Sequence, residues 1–145
     1  MVRRIWLTLS WTGGDLSEAL CIFRLAVFNV AAVNEDDHLK DVAFLLDSEG
    51  PWRVSPAFDL TYAPRPFGER CTTVASVRRQ VSRVHLLTLA ERAGIKASVA
   101  RRVIDEVTAA TVDVGRHLAA AGCEGPVSRA AATAVMAATV RVRGA

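Results

Sequence analysis

The sequence predicts a mainly α-helical domain with one small β-hairpin, on three observations. Apolar residues recur at helical spacing over residues 15–33 and again from 86 towards the C-terminus. Between them, two short apolar runs at 42–46 and 52–54 flank a cluster of turn-forming residues, the pattern of a hairpin. The 145 residues, 51% hydrophobic and 23% charged, suffice for a single domain spanning 1–145 and exclude a disordered or collagen-like chain.

Each element has a local reason. Asp15 is the expected N-cap of the first apolar helix, and Glu18, three positions on, completes a capping box. The helix runs to about Val33. Leu16, Leu20, Phe23, Val27 and Val30 line one face while Ile22, Leu25 and Phe28 load the other, so the helix belongs inside the domain. The segment 33–41 breaks this pattern with Glu35, Asp36, Asp37 and Asp41 beside His38 and Lys40. Residues 42–46 then read as a buried strand, 47–51 as a turn and 52–54 as the returning strand, with 55–61 extended around Pro56. Pro64, Pro66 and Gly68, together with Arg65, Arg70, Arg78 and Arg79, make 62–81 a long surface loop. Helix resumes over 86–93 and stops at Gly94. Val99, Val103, Val107, Val114 and Leu118 mark one long amphipathic helix ending near Gly122, and a last Ala-rich helix starts near Pro126.

Charge and composition exclude several functions. The net charge of +3 comes from basic residues scattered along the chain, so no direct nucleic-acid contact is expected, and Trp6, Trp11 and Trp52 read as packing residues. The apolar run 19–33 is interrupted by Arg24 and Asn29 and falls short of the ~20 residues a bilayer requires, so no membrane span is expected. The N-terminus has no adequate apolar core for a signal peptide. Cys21, Cys71 and Cys123 are widely separated, with no histidine or second cysteine at ligand spacing, which points to a reduced, cytoplasmic protein.

The informative spacing is Asp36 to Asp41, followed by the hairpin and then Asp59 in Phe58-Asp59-Leu60. In phosphoryl transfer one aspartate orients or accepts the proton of the attacking hydroxyl, while oxygen ligands further along hold Mg2+ against the phosphates. Mg2+ prefers hard oxygen donors, which Asp41 and Asp59 would supply as metal ligands. Asp36 takes the catalytic position and must stay ionised, aided by Lys40, whose cation also reaches towards the transferring phosphate. A zinc site made from Asp36, His38 and Asp59 lacks a further nitrogen or sulfur ligand.

The run Asn34-Glu35-Asp36-Asp37-His38-Leu39-Lys40-Asp41, then Trp52-Arg53-Val54-Ser55-Pro56-Ala57-Phe58-Asp59-Leu60, resembles the C-terminal lobe of HipA-type serine/threonine kinases over about residues 16–125. The resemblance implies the helical lobe of a protein-kinase-like fold, with catalytic loop 34–41, hairpin 42–54, metal-aspartate strip 55–61 and helical end 82–140. It implies Asp36, His38 and Lys40 as catalytic-loop residues, Lys40 also towards the nucleotide, Asp41 and Asp59 on Mg2+, and ATP as phosphoryl donor. It further implies a toxin of a bacterial toxin–antitoxin pair that phosphorylates a protein serine, with an aminoacyl-tRNA synthetase as target type and an antitoxin protein as partner. This chain has Asp41 where the family usually has Asn, Val33 where it often has Gly, and Phe58 for the commoner Tyr.

A kinase also needs a phosphate-cradling glycine loop and a lysine ahead of this lobe. No lysine precedes Lys40, and Gly13-Gly14 lacks the remainder of such a loop. The expectation is therefore a C-terminal half without its nucleotide-binding half, inactive alone and completed by a separate N-terminal subunit. The alternative is a non-catalytic interaction module or inactive remnant that binds an antitoxin or that subunit, with an exposed apolar face along 5–9 and the first helix.

Overall fold

The computed structural model describes residues 1–46, 48 and 50–144. The helices are α1 (Val2–Trp11), α2 (Leu16–Ala31), α3 (Arg83–Arg92), α4 (Ala97–Thr111), α5 (Val114–Ala120) and α6 (Pro126–Arg143), with strands β1 (Phe44–Leu46) and β2 (Trp52–Val54) between α2 and α3. The expected class, helical with one antiparallel hairpin, is what the chain adopts. No helix among the described residues is long and apolar enough to cross a membrane.

Helix α2 is the central element. Ala19, Ile22, Phe23, Ala26, Val27 and Val30 are buried along it, and it packs against α1, α4, α6 and β2. Asp15 is its N-cap, accepting from the Ser17 amide at 2.8 Å. Glu18 does not close the expected capping box: its Oε2 instead accepts the Val54 amide of β2 at 2.6 Å, so the first turn of α2 holds the hairpin rather than its own N-terminus. A backbone donor across the fold outcompetes the local one.

The strands pair Phe44 with Val54, Leu45 with Arg53 and Leu46 with Trp52. The turn expected over 47–51 includes Asp47 and Glu49, which lie outside the described residues. The expectation of a buried first strand is corrected, since Leu45 and Leu46 are 52% and 58% exposed. A two-stranded ribbon has no third strand or second layer to cover it. Trp11 at the end of α1 packs against Phe44 and Trp52, with ring centroids 5.3 and 5.6 Å away, yet Trp6 and Trp11 both remain more than half exposed.

The single long helix expected over 99–118 is two helices. Thr108 and Thr111 turn their hydroxyls onto the carbonyls of Ile104 and Val107, and the β-branched pair Thr111-Val112 leads into Asp113, a residue that favours helix starts. The Thr111 hydroxyl also meets that of Thr139 on α6 at 2.9 Å, in the core. Helix α3 stops where expected, at Gly94, whose φ of 72° lets its amide reach Glu91 O and the Ile95 amide reach Ala90 O, tucking Ile95 into the core.

The loop over 62–81 is not merely a surface excursion. Val74, Val81 and Arg70 are buried, and the loop runs back along the acidic segment. Glu35 N donates to Ala63 O, Ala63 N to Val33 O and Cys71 N to Glu35 O, at 3.0, 3.2 and 2.9 Å. The acidic segment is therefore clamped on its backbone by the chain that follows the hairpin.

Candidate functional site

Asp36 and Asp37 follow each other on this clamped segment with opposite surroundings. Asp37 is 1% exposed and sits between two buried guanidiniums, Arg4 Nη1 at 3.8 Å and Arg70 Nη2 at 3.7 Å from its Oδ2. Asn29 Nδ2 approaches the same oxygen at 3.4 Å, and the Thr72 hydroxyl and Arg4 Nη2 donate to the Asp37 carbonyl at 2.7 and 3.0 Å. Burial pushes the Asp37 carboxyl up, against the attraction of the two arginines. Arg70 continues into the loop, donating to Asn34 O at 2.6 Å and Asn29 O at 3.2 Å. The cluster is an anchor that fixes the segment to α1 and α2.

Asp36 points to the surface. Arg65 Nη1 donates to its Oδ1 at 2.7 Å, His38 Nε2 lies 3.2 Å from the same oxygen and Cys71 Sγ 3.5 Å. The hydrogen bond from Arg65 holds the Asp36 carboxyl below the ordinary range, with Cys71 and His38 adding to it, so the group is ionised at neutral pH. The sequence reading assigned that support to Lys40. The structure corrects this: Lys40 is exposed with no ion pair to Asp36, and the cation on Asp36 is Arg65 from the loop.

Asp41 closes the 3₁₀ turn Leu39–Asp41, its Oδ2 accepting the His38 amide at 2.6 Å, with no hydrogen bond to its Oδ1 among the described residues. It borders an apolar hollow of about 540 Å³ lined by Phe28, Val42, Val54, Pro56 and Phe58. Asp59 has a φ of 54°, a left-handed conformation that aspartate tolerates better than most residues, and Asn34 Nδ2 holds its carbonyl at 3.2 Å while the residue stays exposed. Asp36 and His38 are thus brought into contact. Asp41 is joined to them through the His38 backbone, and neither Asp41 nor Asp59 belongs to the Asp36 cluster.

Sequence reasoning missed Arg4, Arg70 and Cys71, since each reaches the acidic segment from a distant part of the chain. The one available signal was the adjacency of two aspartates, because like charges side by side imply different environments.

The class the fold defines is a helical domain that clamps an acidic loop beside a short antiparallel hairpin, with Asp36 at the surface and Asp37 in the core. The HipA-like C-terminal domain family matches residues 6–114. The chain belongs to that family. No curated protein and no solved structure matches it.

Proposed function

We propose that this chain is the catalytic-loop lobe of a HipA-like serine/threonine protein kinase, phosphorylating a protein serine when joined to a nucleotide-binding lobe. The observation that carries the reading is Asp36: ionised, exposed and held by Arg65, on a segment bolted into the core through its neighbour Asp37. Positioning dominates phosphoryl transfer, and a loop fixed from both sides is suited to it.

The donor set suits Mg2+, since one Asp41 carboxylate oxygen is unengaged among the described residues, Asp59 is exposed, and both are hard oxygen ligands. The cofactor pair, Mg2+ and ATP, would supply the phosphoryl group and offset the charge on its oxygens. Asp36, kept below the usual carboxylate range, is a weak base that orients the serine hydroxyl and takes its proton late. His38 acts through its amide, fixing Asp41, while the exposed ammonium of Lys40 faces the phosphates. The apolar hollow beside Asp41 suits the flat face of a nucleobase. Substrate and partners follow the family resemblance: a serine of an aminoacyl-tRNA synthetase, an antitoxin, and a separate N-terminal kinase subunit.

The test is phosphotransfer by the chain co-expressed with the coding region directly upstream of it. Asp36→Asn should lower turnover about 100-fold or more while nucleotide binding persists, and Asp59→Ala should abolish Mg2+-dependent nucleotide binding. Unchanged transfer in either variant overturns the reading.

A second reading, an interaction module without chemistry of its own, is favoured by one observation. Trp6, Leu7 and Trp11 on α1 and Leu45 and Leu46 on β1 are all more than half exposed, apolar surface of the kind that docks a second subunit.

A further inference from the structure

The fold brings Cys71 to the Asp36 and His38 pair, although the three residues show no ligand spacing in the sequence. Asp36 Oδ1 to His38 Nε2 is 3.2 Å, Asp36 Oδ1 to Cys71 Sγ 3.5 Å and His38 Nε2 to Cys71 Sγ 3.6 Å. Tetrahedral zinc, with bonds of about 2.0 Å to oxygen and nitrogen and about 2.3 Å to sulfur, sets its ligand atoms apart by about 3.3 Å for oxygen–nitrogen and about 3.5 Å for the pairs with sulfur. The triangle of side-chain atoms has the dimensions of one face of that tetrahedron.

We propose that Asp36, His38 and Cys71 form a binding site for Zn2+, with its remaining position open to solvent. One carboxylate oxygen, one imidazole nitrogen and one thiolate are the ligand types of zinc centres that keep such an open position. The site is preorganised by the backbone: Cys71 N is bonded to Glu35 O, and His38 N to Asp41 Oδ2. The Asp36 and His38 side chains are 51% and 40% exposed, which gives an ion a path in. Cys71 enters as the thiol and releases its proton to solvent as the sulfur–metal bond forms. Arg65 competes with the ion, because its guanidinium occupies the same Oδ1. A polar hollow of about 390 Å³, bordered by His38, Cys71, Arg65 and Arg78, adjoins the site.

This site differs from the Mg2+ position of the proposed kinase and stands without it. An ion here engages the carboxylate that a substrate hydroxyl would meet, so Zn2+ would act on a kinase as an inhibitor.

The experiment titrates the folded chain with Co2+ and then Zn2+, in a Cys21→Ser/Cys123→Ser background that leaves Cys71 as the sole thiol. The expected result is a saturable sulfur-to-cobalt charge-transfer absorption with the intense visible bands of tetrahedral cobalt, bleached by stoichiometric Zn2+. Cys71→Ser should abolish the charge-transfer band and weaken Zn2+ binding on the order of 100-fold, with circular dichroism checking that the variant remains folded. Arg65→Ala should tighten binding up to about fivefold, the worth of an exposed ion pair. A missing charge-transfer band, or Zn2+ binding equal in Cys71→Ser, overturns the proposal.

Discussion

Asp36 and Asp37 divide the labour of the acidic segment, one facing solvent and the other tied into the core. The tie is a buried charge between two buried arginines, and its worth lies in what remains if it is cut. Removing the carboxylate leaves Arg4 and Arg70 as like charges out of water, with Arg4 Nε and Arg70 Nε already lacking partners among the described residues. Asp37→Ala should therefore cost about 3–5 kcal/mol of stability, read from urea denaturation midpoints. An effect no larger than that of an exposed substitution would mean that the cluster is not an anchor. Of the residues singled out in the sequence, the contact of Asp36 with His38 was legible because the two stand two positions apart on one segment, whereas Asp41 and Asp59 lie outside that cluster. Arg65 in place of Lys40 was not legible, because which cation reaches a carboxylate depends on the path of a loop that carries no periodicity.

Among the elements, the junction of α2 with the acidic segment carries backbone strain. Val33 has a φ of 57°, where its β-branched side chain crowds the backbone, at a cost of about 1–2 kcal/mol. The peptide group that follows it explains why it is tolerated: Asn34 N donates to Asn29 O at 2.9 Å and Val33 O accepts from Ala63 N at 3.2 Å. Val33→Gly should stabilise the domain by about 0.5–1 kcal/mol, the relieved strain less the greater entropy of glycine in the unfolded chain. A rise in melting temperature checks it, and a fall would show that the valine side chain contributes packing that outweighs the strain. The helices themselves were readable from spacing. Their ends were readable where a cap residue decides, as at Asp15 and Gly94, and misread where two β-branched threonines and an aspartate divided α4 from α5.

For the whole molecule, the core gathers on α2, and the far side of α1 with the hairpin remains uncovered. Trp6, Leu7, Leu45 and Leu46 stay more than half exposed, as does Trp11 despite its contacts with Phe44 and Trp52, so apolar surface is available to a partner. The folded chain should bind a hydrophobic dye while keeping native circular dichroism, and Trp6→Ser/Trp11→Ser should lose most of that fluorescence. Absence of dye binding by the parent protein would remove the basis for a docking face. Helical class and hairpin placement could be foreseen at this scale because hydrophobic period and turn chemistry are written along the chain. The return of 62–81 across the acidic segment could not, since it is carried by backbone hydrogen bonds and buried arginines that follow no pattern of spacing.

That return has an implication for how the segment can change over evolutionary time. The clamp is made by amides and carbonyls at Val33, Glu35, Ala63 and Cys71, groups that every residue except proline possesses in full. At Ala63 and Cys71 the side chain can drift without moving the loop, whereas Glu35 adds its own carboxylate to the clamp by accepting the Arg65 amide at 2.7 Å, so Cys71 is free to be gained or lost as a ligand while its amide keeps its structural duty. Only proline at 35, 63 or 71 would delete a donor. The geometry of the acidic loop is thereby inherited through the chain path, and its chemistry is left open to revision one side chain at a time.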